Sequence, residues 1–350
     1  MLKSHNLLVK ATLVSSPDKR LDARLDALRT WLDAQLGAAY TLAPASADAS
    51  FRRYFRVTTG EGTRIAMDAP PPREDCRPFV KVAALMHEAG LHVPRVLAQD
   101  LDRGFLLLTD LGRTTYLTTL APDNADGLFA DALDALVRWQ LASRPGVLPP
   151  YDEALLRREM DLFPEWYVGR HLGRTLDAPL QRALSDAMTR IVRANLAQPS
   201  VYVHRDYMPR NLMVSTPNPG VLDFQDAVYG PIAYDVVSLF RDAFVSWEEE
   251  RVLDWTVRYW ERARAAGLPV DGDFGAFYRD FEWMGLQRHL KVLGIFARIG
   301  YRDGKPDYLA DTPRFVKYVR AVCGRYDELA GLLKVFDALE NRAPSFGYTF

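Results

Sequence analysis

The stretch Val203-His-Arg-Asp-Tyr-Met-Pro-Arg-Asn-Leu212 decides the fold. It carries Asp206 and, five residues later, Asn211. An apolar run then ends at Asp223, which Phe224 follows. A chance set of turn and capping residues is the alternative explanation, but the joint spacing favours a loop and hairpin that present oxygen atoms to one cleft.

These oxygen atoms suit phosphoryl transfer, which needs a positioned hydroxyl and neutralised phosphates more than covalent help from the protein. Asp206 is the predicted catalytic residue, which accepts a hydrogen bond from the attacking hydroxyl. Asn211 and Asp223 are predicted ligands of Mg²⁺, because that ion prefers hard oxygen donors. His204 is expected to be a packed scaffold residue rather than a proton carrier.

The hydrophobic pattern changes on either side of this stretch. Toward the N-terminus it predicts a helix at 18–37, strands at 51–57 and 64–67, a helix at 77–89, and strands at 96–97 and 105–108. Toward the C-terminus helical spacing dominates, at 125–142, 152–172, 178–197, 232–262, 274–300 and 312–340. The chain is therefore predicted to be α+β and bilobed, with a small β-rich N-lobe at 18–111 and a large helical C-lobe at 112–350. A ligand is expected in the cleft between the lobes.

Composition excludes several classes of protein. The 44 basic and 45 acidic residues give a net charge of −1, which offers nothing to hold a nucleic-acid backbone. Cys76 and Cys323 fit no metal spacing and are expected to be reduced thiols. The sequence contains no run of about 18 apolar residues, the length that would indicate a membrane span. Residues 1–17 are interpreted as an extension or a poorly ordered start. We therefore expect a cytoplasmic protein without a nucleic-acid, membrane or protein partner.

The loop resembles those of protein kinases and, more closely, of the aminoglycoside phosphotransferase family. Only eleven residues separate Asp223 from Asp235, and no Ala-Pro-Glu follows, so there is no room for a protein-docking activation segment. Gly230 and the run 235–238 match the small-molecule kinases. The resemblance implies a protein-kinase-like fold, ATP as co-substrate, and a role for Asp235 in supporting the catalytic loop.

Within that family the chain is similar to the kinases that phosphorylate the anomeric hydroxyl of N-acetylmuramate and N-acetylglucosamine in peptidoglycan recycling. The similar runs are 48–56, 204–211, 223–231 and 287–298. The resemblance implies transfer from ATP to give the sugar 1-phosphate. Two alternatives remain: a kinase of another small hydroxylated molecule, such as an aminoglycoside or an amino alcohol, and a nucleotide-binding pseudokinase.

Neither Gly-x-Gly-x-x-Gly nor a Walker motif is present, so the nucleotide site is assigned by position. Ser50 and Arg52 lie where a phosphate-covering loop is expected. Thr109 and Leu111 lie at the predicted crossing between lobes, where main-chain groups would hold adenine.

The strand lysine that kinases of this fold usually carry is replaced by Asp68. We hypothesise a reversed pair, in which Lys81 reaches the phosphates from the following helix and Asp68 orients it. The alternative is that Lys81 faces solvent and that loop arginines neutralise the phosphates.

Candidate sugar-binding residues are expected in the helical part of the chain. Gln225 and Asp226 directly follow the metal carboxylate, Glu165 lies among aromatic residues, and Arg288 has basic neighbours at helical spacing. A packed amphipathic helix around Glu165 and a solvated basic face around Arg288 are the competing interpretations.

Overall fold

The computed structural model describes residues 19–37, 39–47 and 51–341. The predictions for residues 1–17 and for Ser50 therefore lie outside the described residues. By its contacts the chain divides into two compact units. The first contains the described residues up to Arg77 and Val96–Asp110, and the second contains Pro78–Arg95 and the described residues from Leu111 onward.

The described residues of the first unit form an antiparallel sheet with one helix. Its elements are α1 (Lys19–Leu36), β1 (Thr41–Ala47), β2 (Arg53–Thr59), β3 (Gly62–Asp68), β4 (Val96–Asp100) and β5 (Phe105–Thr109). The strand order is β1-β2-β3-β5-β4. Leu28 and Leu32 of α1 are fully buried against Val57, Ala66 and Phe105 of the sheet, so the leucine spacing of α1 supplies the core of this unit.

The second unit is mainly helical. Its helices are α2 (Arg77–Glu88), α3 (Tyr116–Thr119), α4 (Ala125–Leu141), α5 (Glu153–Met160), α6 (Ala178–Ala197), α7 (Tyr234–Phe240), α8 (Glu249–Ala265), α9 (Phe274–Arg302), α10 (Thr312–Cys323) and α11 (Ala330–Glu340). Two short antiparallel pairs join β6 (Ser200–Val203) to β9 (Val228–Pro231) and β7 (Leu212–Met213) to β8 (Gly220–Val221). The catalytic-loop stretch lies between β6 and β7, so both ends of it are fixed by strand pairing.

Several predicted boundaries are wrong. The structure adds β1, and it divides three predicted helices. The helix predicted at 152–172 is α5 followed by a π-helical segment, Phe163–His171. The helix predicted at 232–262 is α7 and α8, and the one predicted at 312–340 is α10 and α11.

The chain divides between Asp110 and Leu111, one residue from the predicted domain boundary. Helix α2, however, falls in the second unit apart from Arg77. The domain ranges 18–111 and 112–350 themselves stay a prediction. Within the described part of the chain, no helix combines the length and the apolar character that crossing a membrane requires.

Candidate active site

The catalytic-loop residues share one hydrogen-bond network in the second unit. The Asn211 side-chain amide donates to the Asp206 carbonyl oxygen at 2.9 Å and to Asp223 Oδ2 at 3.4 Å. The Gln225 amide donates to Asp223 Oδ1 at 2.8 Å. Two amides therefore orient the Asp223 carboxylate, and the Asn211 Oδ1 takes no part in these bonds.

Asp206 is half-buried at the turn of the loop. Its neighbours are fixed by main-chain bonds from Met208 to the Asp206 carbonyl oxygen and from Asn211 to the Met208 carbonyl oxygen, at 2.9 and 2.8 Å. Among the described residues, none makes a hydrogen bond or ion pair with the Asp206 carboxylate. An approaching hydroxyl group can therefore donate to it.

The donor set suits a hard divalent cation. Asp223 and Asn211 offer carboxylate and amide oxygen atoms, the ligands that Mg²⁺ prefers, and that ion commonly takes one or two protein ligands plus water and phosphate oxygens. The described residues contain no cluster of three or more His, Cys, Asp or Glu side chains that could enclose a metal. The two oxygen donors themselves are compatible with a divalent cation that completes its coordination with water and phosphate oxygens.

Two residues of this site have left-handed backbone, which non-glycine residues rarely adopt. Arg205 has φ of 76° and Asp223 has φ of 62°. Such conformations cost about 1–3 kcal/mol each and persist only where the surroundings impose them. Arg205, which precedes Asp206, and Asp223 itself are therefore held in place by the rest of the unit.

His204 and Asp235 make hydrogen bonds that fix the main chain of the catalytic-loop stretch. The Asp235 carboxylate accepts the main-chain N–H groups of His204 and Arg205 at 2.6 and 3.0 Å. His204 Nε2 bonds to the Leu222 carbonyl oxygen at 3.0 Å, and its Nδ1 accepts the Asp206 N–H at 3.2 Å. Burial lowers the pKa of His204 to about 4, so the ring is neutral. These contacts support the scaffold role predicted for both residues.

Glu159 holds the catalytic-loop stretch by an ion pair with Arg205, and it was not among the residues predicted from the sequence. Its Oε1 binds the Arg205 guanidinium at 2.5 Å and Lys291 Nζ at 2.9 Å. Its Oε2 accepts hydrogen bonds from Tyr151 and Gln287. Burial alone would raise the pKa of Glu159, but Lys291 and Arg205 outweigh it and lower that pKa to about 2. The carboxylate is therefore ionised and holds Arg205.

The predicted sugar-binding residues lie in different environments. Gln225 is half-buried beside Asp223, whereas Asp226 and Glu165 are exposed. Arg288 is 2% exposed and donates to the Arg241 carbonyl oxygen at 3.2 Å, while Lys291 is 8% exposed. The alternative of a solvated basic face is therefore wrong for Arg288 and Lys291. The sugar contacts of Gln225, Asp226, Glu165 and Arg288 stay predictions.

The predicted reversed pair of Lys81 and Asp68 is wrong, because each of the two residues has other partners. Asp68 is fully buried in the first unit, where Arg24 and Arg53 bind its two carboxylate oxygens at 2.6 and 2.5 Å. Lys81 is exposed in the second unit and donates to the Val147 carbonyl oxygen at 2.5 Å. Asp68 therefore orients two arginines and not Lys81. A phosphate contact by Lys81 alone stays a prediction.

The other predicted nucleotide-binding residues are distributed over both units. Arg52, in the first unit, lies 3.5 Å from Glu74 through its Nε. Thr109 ends β5 and pairs with Arg64 of β3. Leu111 belongs to the second unit and is 9% exposed. Their nucleotide contacts stay predictions.

Comparison with known proteins defines the class. Residues 41–270 match the phosphotransferase enzyme family, and the chain belongs to that family. It is 55% identical over 333 residues to the N-acetylmuramate/N-acetylglucosamine kinase of Pseudomonas aeruginosa, covering 92% of this chain and 98% of that protein. The protein of the same name from Neisseria meningitidis serogroup B is 50% identical over 317 residues, covering 89% and 94%.

Solved structures extend the comparison to the fold. An amicoumacin kinase in complex with AMP-PNP and Ca²⁺ superposes with a TM-score of 0.61 at 15% identity, over 85% of this chain and 94% of that one. A choline/ethanolamine kinase family protein from Mesorhizobium loti gives 0.59 at 15% identity, over 90% and 99%. The predicted α+β, protein-kinase-like fold is confirmed.

Proposed function

We propose that the protein is an ATP- and Mg²⁺-dependent sugar kinase that transfers phosphate to the anomeric hydroxyl of N-acetylmuramate and N-acetylglucosamine. The observation that carries the proposal is the network in which Asn211 and Gln225 orient Asp223 while Asp206 stays open to a hydroxyl. The names of the bacterial relatives support the choice of sugars. Peptidoglycan recycling in the cytoplasm is the corresponding setting, and the free thiols of Cys76 and Cys323 are compatible with it.

In this reaction Asp206 accepts a hydrogen bond from the sugar hydroxyl and orients its oxygen toward the terminal phosphate. An anomeric hydroxyl is more acidic than an ordinary alcohol, so a carboxylate is an adequate proton acceptor. Asn211 Oδ1 and Asp223 would hold Mg²⁺, which when bound supplies positive charge beside the phosphates. Arg205 and Asp235 keep the loop in the conformation that presents Asp206.

A panel of acceptors tests the proposal. The protein is incubated with ATP, Mg²⁺ and N-acetylmuramate, N-acetylglucosamine, an aminoglycoside or choline, and ADP release is measured. We expect turnover with the two sugars, loss of turnover without Mg²⁺, and a 1-phosphate by phosphorus NMR. Asp206→Asn should keep the fold and lower kcat by roughly 10²–10⁴-fold.

Other outcomes would overturn separate parts of the proposal. Phosphate on the 6-hydroxyl contradicts the anomeric assignment, and turnover with the aminoglycoside or choline alone contradicts the sugar assignment. Near-normal turnover in Asp206→Asn contradicts the role of Asp206. Absence of ADP release with all four acceptors favours the pseudokinase alternative.

A further inference from the structure

We propose that Arg210 recognises the carboxylate of N-acetylmuramate and so distinguishes this sugar from N-acetylglucosamine; the inference rests on the proposed function. The two sugars differ by one group, because N-acetylmuramate carries a lactyl ether with a carboxylate where N-acetylglucosamine has a hydroxyl. An enzyme that accepts both must attract an anion in one case and tolerate its absence in the other.

Because the enzyme must bind both the anionic and the neutral sugar, the side chain that binds the carboxylate should be a cation in a particular environment. A cation buried without a counter-charge is strongly unfavourable, so a buried group that awaits the carboxylate would reject the neutral sugar. An exposed guanidinium remains hydrated when the neutral sugar is bound, and it still forms charge-assisted hydrogen bonds with a carboxylate. The recognising residue should therefore be an exposed arginine near the catalytic residue.

The catalytic-loop stretch 203–212 contains two arginines, and they differ in whether a carboxylate of the protein already binds them. Arg205 is bound to Glu159 at 2.5 Å. Arg210 is exposed and, among the described residues, has no ion pair. The buried cations Arg288 and Lys291 are held by the Arg241 carbonyl oxygen and by Glu159. Arg210 is thus the loop cation that an incoming carboxylate can reach without breaking an ion pair.

The position of Arg210 is fixed by its neighbours. It lies between Pro209 and Asn211, in a short 3₁₀ turn. The Asn211 N–H donates to the Met208 carbonyl oxygen at 2.8 Å and the Asn211 side chain donates to the Asp206 carbonyl oxygen at 2.9 Å, so the turn that contains Arg210 is closed against the main chain of Asp206. A sugar whose hydroxyl contacts Asp206 would thus have its substituents within reach of a long side chain that starts at Arg210.

An aromatic surface supports the guanidinium. The Arg210 guanidinium carbon lies 5.0 Å from the centre of the Phe244 ring, a cation–π distance. Phe244 packs in turn against Phe296 and Tyr308, with ring centres 6.2 and 6.4 Å away. The Asp242 carboxylate holds the Phe244 segment by accepting its N–H at 2.8 Å. The Phe244 ring limits the positions of the guanidinium on one side and leaves its N–H groups for a ligand.

Steady-state kinetics with both sugars test the inference. We expect Arg210→Met to raise the KM for N-acetylmuramate about tenfold, as loss of a hydrogen bond to a charged group predicts, and to change the KM for N-acetylglucosamine less than about twofold. Arg210→Lys should recover part of the loss. Arg193→Met, which removes an exposed arginine of α6, is the matched control and should change neither KM.

Salt dependence provides a readout that a purely structural role would not change. Screening should raise the KM of the wild type for N-acetylmuramate, and this effect should be smaller in Arg210→Met. Equal changes in KM for the two sugars, or no change for either, overturn the Arg210 assignment alone. If the wild type phosphorylates neither sugar, the proposed function is wrong and the assignment fails with it.

Discussion

Glu159 is a single carboxylate that neutralises two cations inside the second unit. Arg205 and Lys291 both bind its Oε1, and its side chain is 7% exposed. If its charge is removed, both cations remain inside with no carboxylate between them, and breaking a buried ion pair in this way is strongly destabilising. The catalytic loop is therefore expected to depend on Glu159 for its stability as well as for its geometry.

We expect Glu159→Gln to lower the free energy of unfolding at pH 7 by about 3–5 kcal/mol. Glu153→Gln is the matched control on the same helix, because the Glu153 side chain is 59% exposed in its pair with Arg157; it should change stability by less than about 0.5 kcal/mol. Denaturant unfolding measures both. Equal stabilities for the two variants would contradict the role of Glu159.

Candidate site residues could be predicted where their spacing in the sequence is typical of a particular chemistry. The spacing of Asp206, Asn211 and Asp223 predicted three residues that the structure joins in one hydrogen-bond network, and their roles stay predictions. Glu159 lies in another part of the chain, and its one signal is an acidic residue on the apolar side of α5, between the buried Leu156 and Met160. Such a signal indicates a buried charge, but it does not identify the partners.

The break between α7 and α8 shows how one side chain ends an element. The segment predicted as a single helix contains neither glycine nor proline, so the sequence offers no ordinary breaker. The Asp242 carboxylate accepts the N–H groups of Phe244 and Val245 at 2.8 and 3.0 Å, which replaces helical bonds by side-chain bonds. A buried aspartate and an exposed one look alike in the sequence, so the break was not predictable.

Helix α9 packs very closely against the residue that precedes the π-helical segment. A Cβ atom added at Gly294 would lie 2.4 Å from the main-chain carbon of Leu162, whereas one added at Gly127 in α4 would meet no atom within 4 Å. We expect Gly294→Ala to lower the free energy of unfolding by about 1–3 kcal/mol. The control Gly127→Ala should raise it by roughly 0.5–1 kcal/mol, because alanine favours helix.

Thermal and denaturant unfolding of these two variants check the close approach. Unchanged or higher stability of Gly294→Ala would show that the distance between α9 and Leu162 does not limit the residue at 294. Lower stability of Gly127→Ala would contradict the control's expected gain in helix propensity.

On the scale of the whole molecule, the change of hydrophobic period along the chain was enough to predict an α+β fold. Strand β1 was missed because Thr41–Ala47 contains Pro44 and three alanines, a composition that rarely forms strands. The structure explains this exception, since β1 is at the edge of the sheet, where proline is tolerated. A strand's position at the edge depends on the assembled sheet, so it cannot be predicted from the sequence of that strand alone.

The pH dependence of stability is expected to reflect Asp235. Burial raises the pKa of this carboxyl from 3.8 to about 7, against the opposing effect of the N–H groups of His204 and Arg205. The pKa of Asp235 is higher in the folded than in the unfolded protein. The contribution of this carboxyl to the free energy of unfolding is therefore fully present below about pH 3.8 and is lost as the pH rises toward 7.

We therefore expect the wild type to lose stability relative to Asp235→Asn as the pH rises from about 4 to 7, by up to about 1.4 kcal/mol per pH unit. Denaturant unfolding of both proteins across this range is the measurement. Parallel curves would contradict a raised pKa for Asp235.

The left-handed backbone of Arg205 and Asp223 has a consequence for evolution and engineering. Both residues make the folded chain less stable than it would be with ordinary turns, and both lie where phosphate transfer is proposed. Substitutions that relax these two turns would therefore raise the stability of the fold, and they would also disturb the arrangement proposed for catalysis. A thermostable variant of this enzyme should be sought in its surface helices, while these two positions are kept fixed.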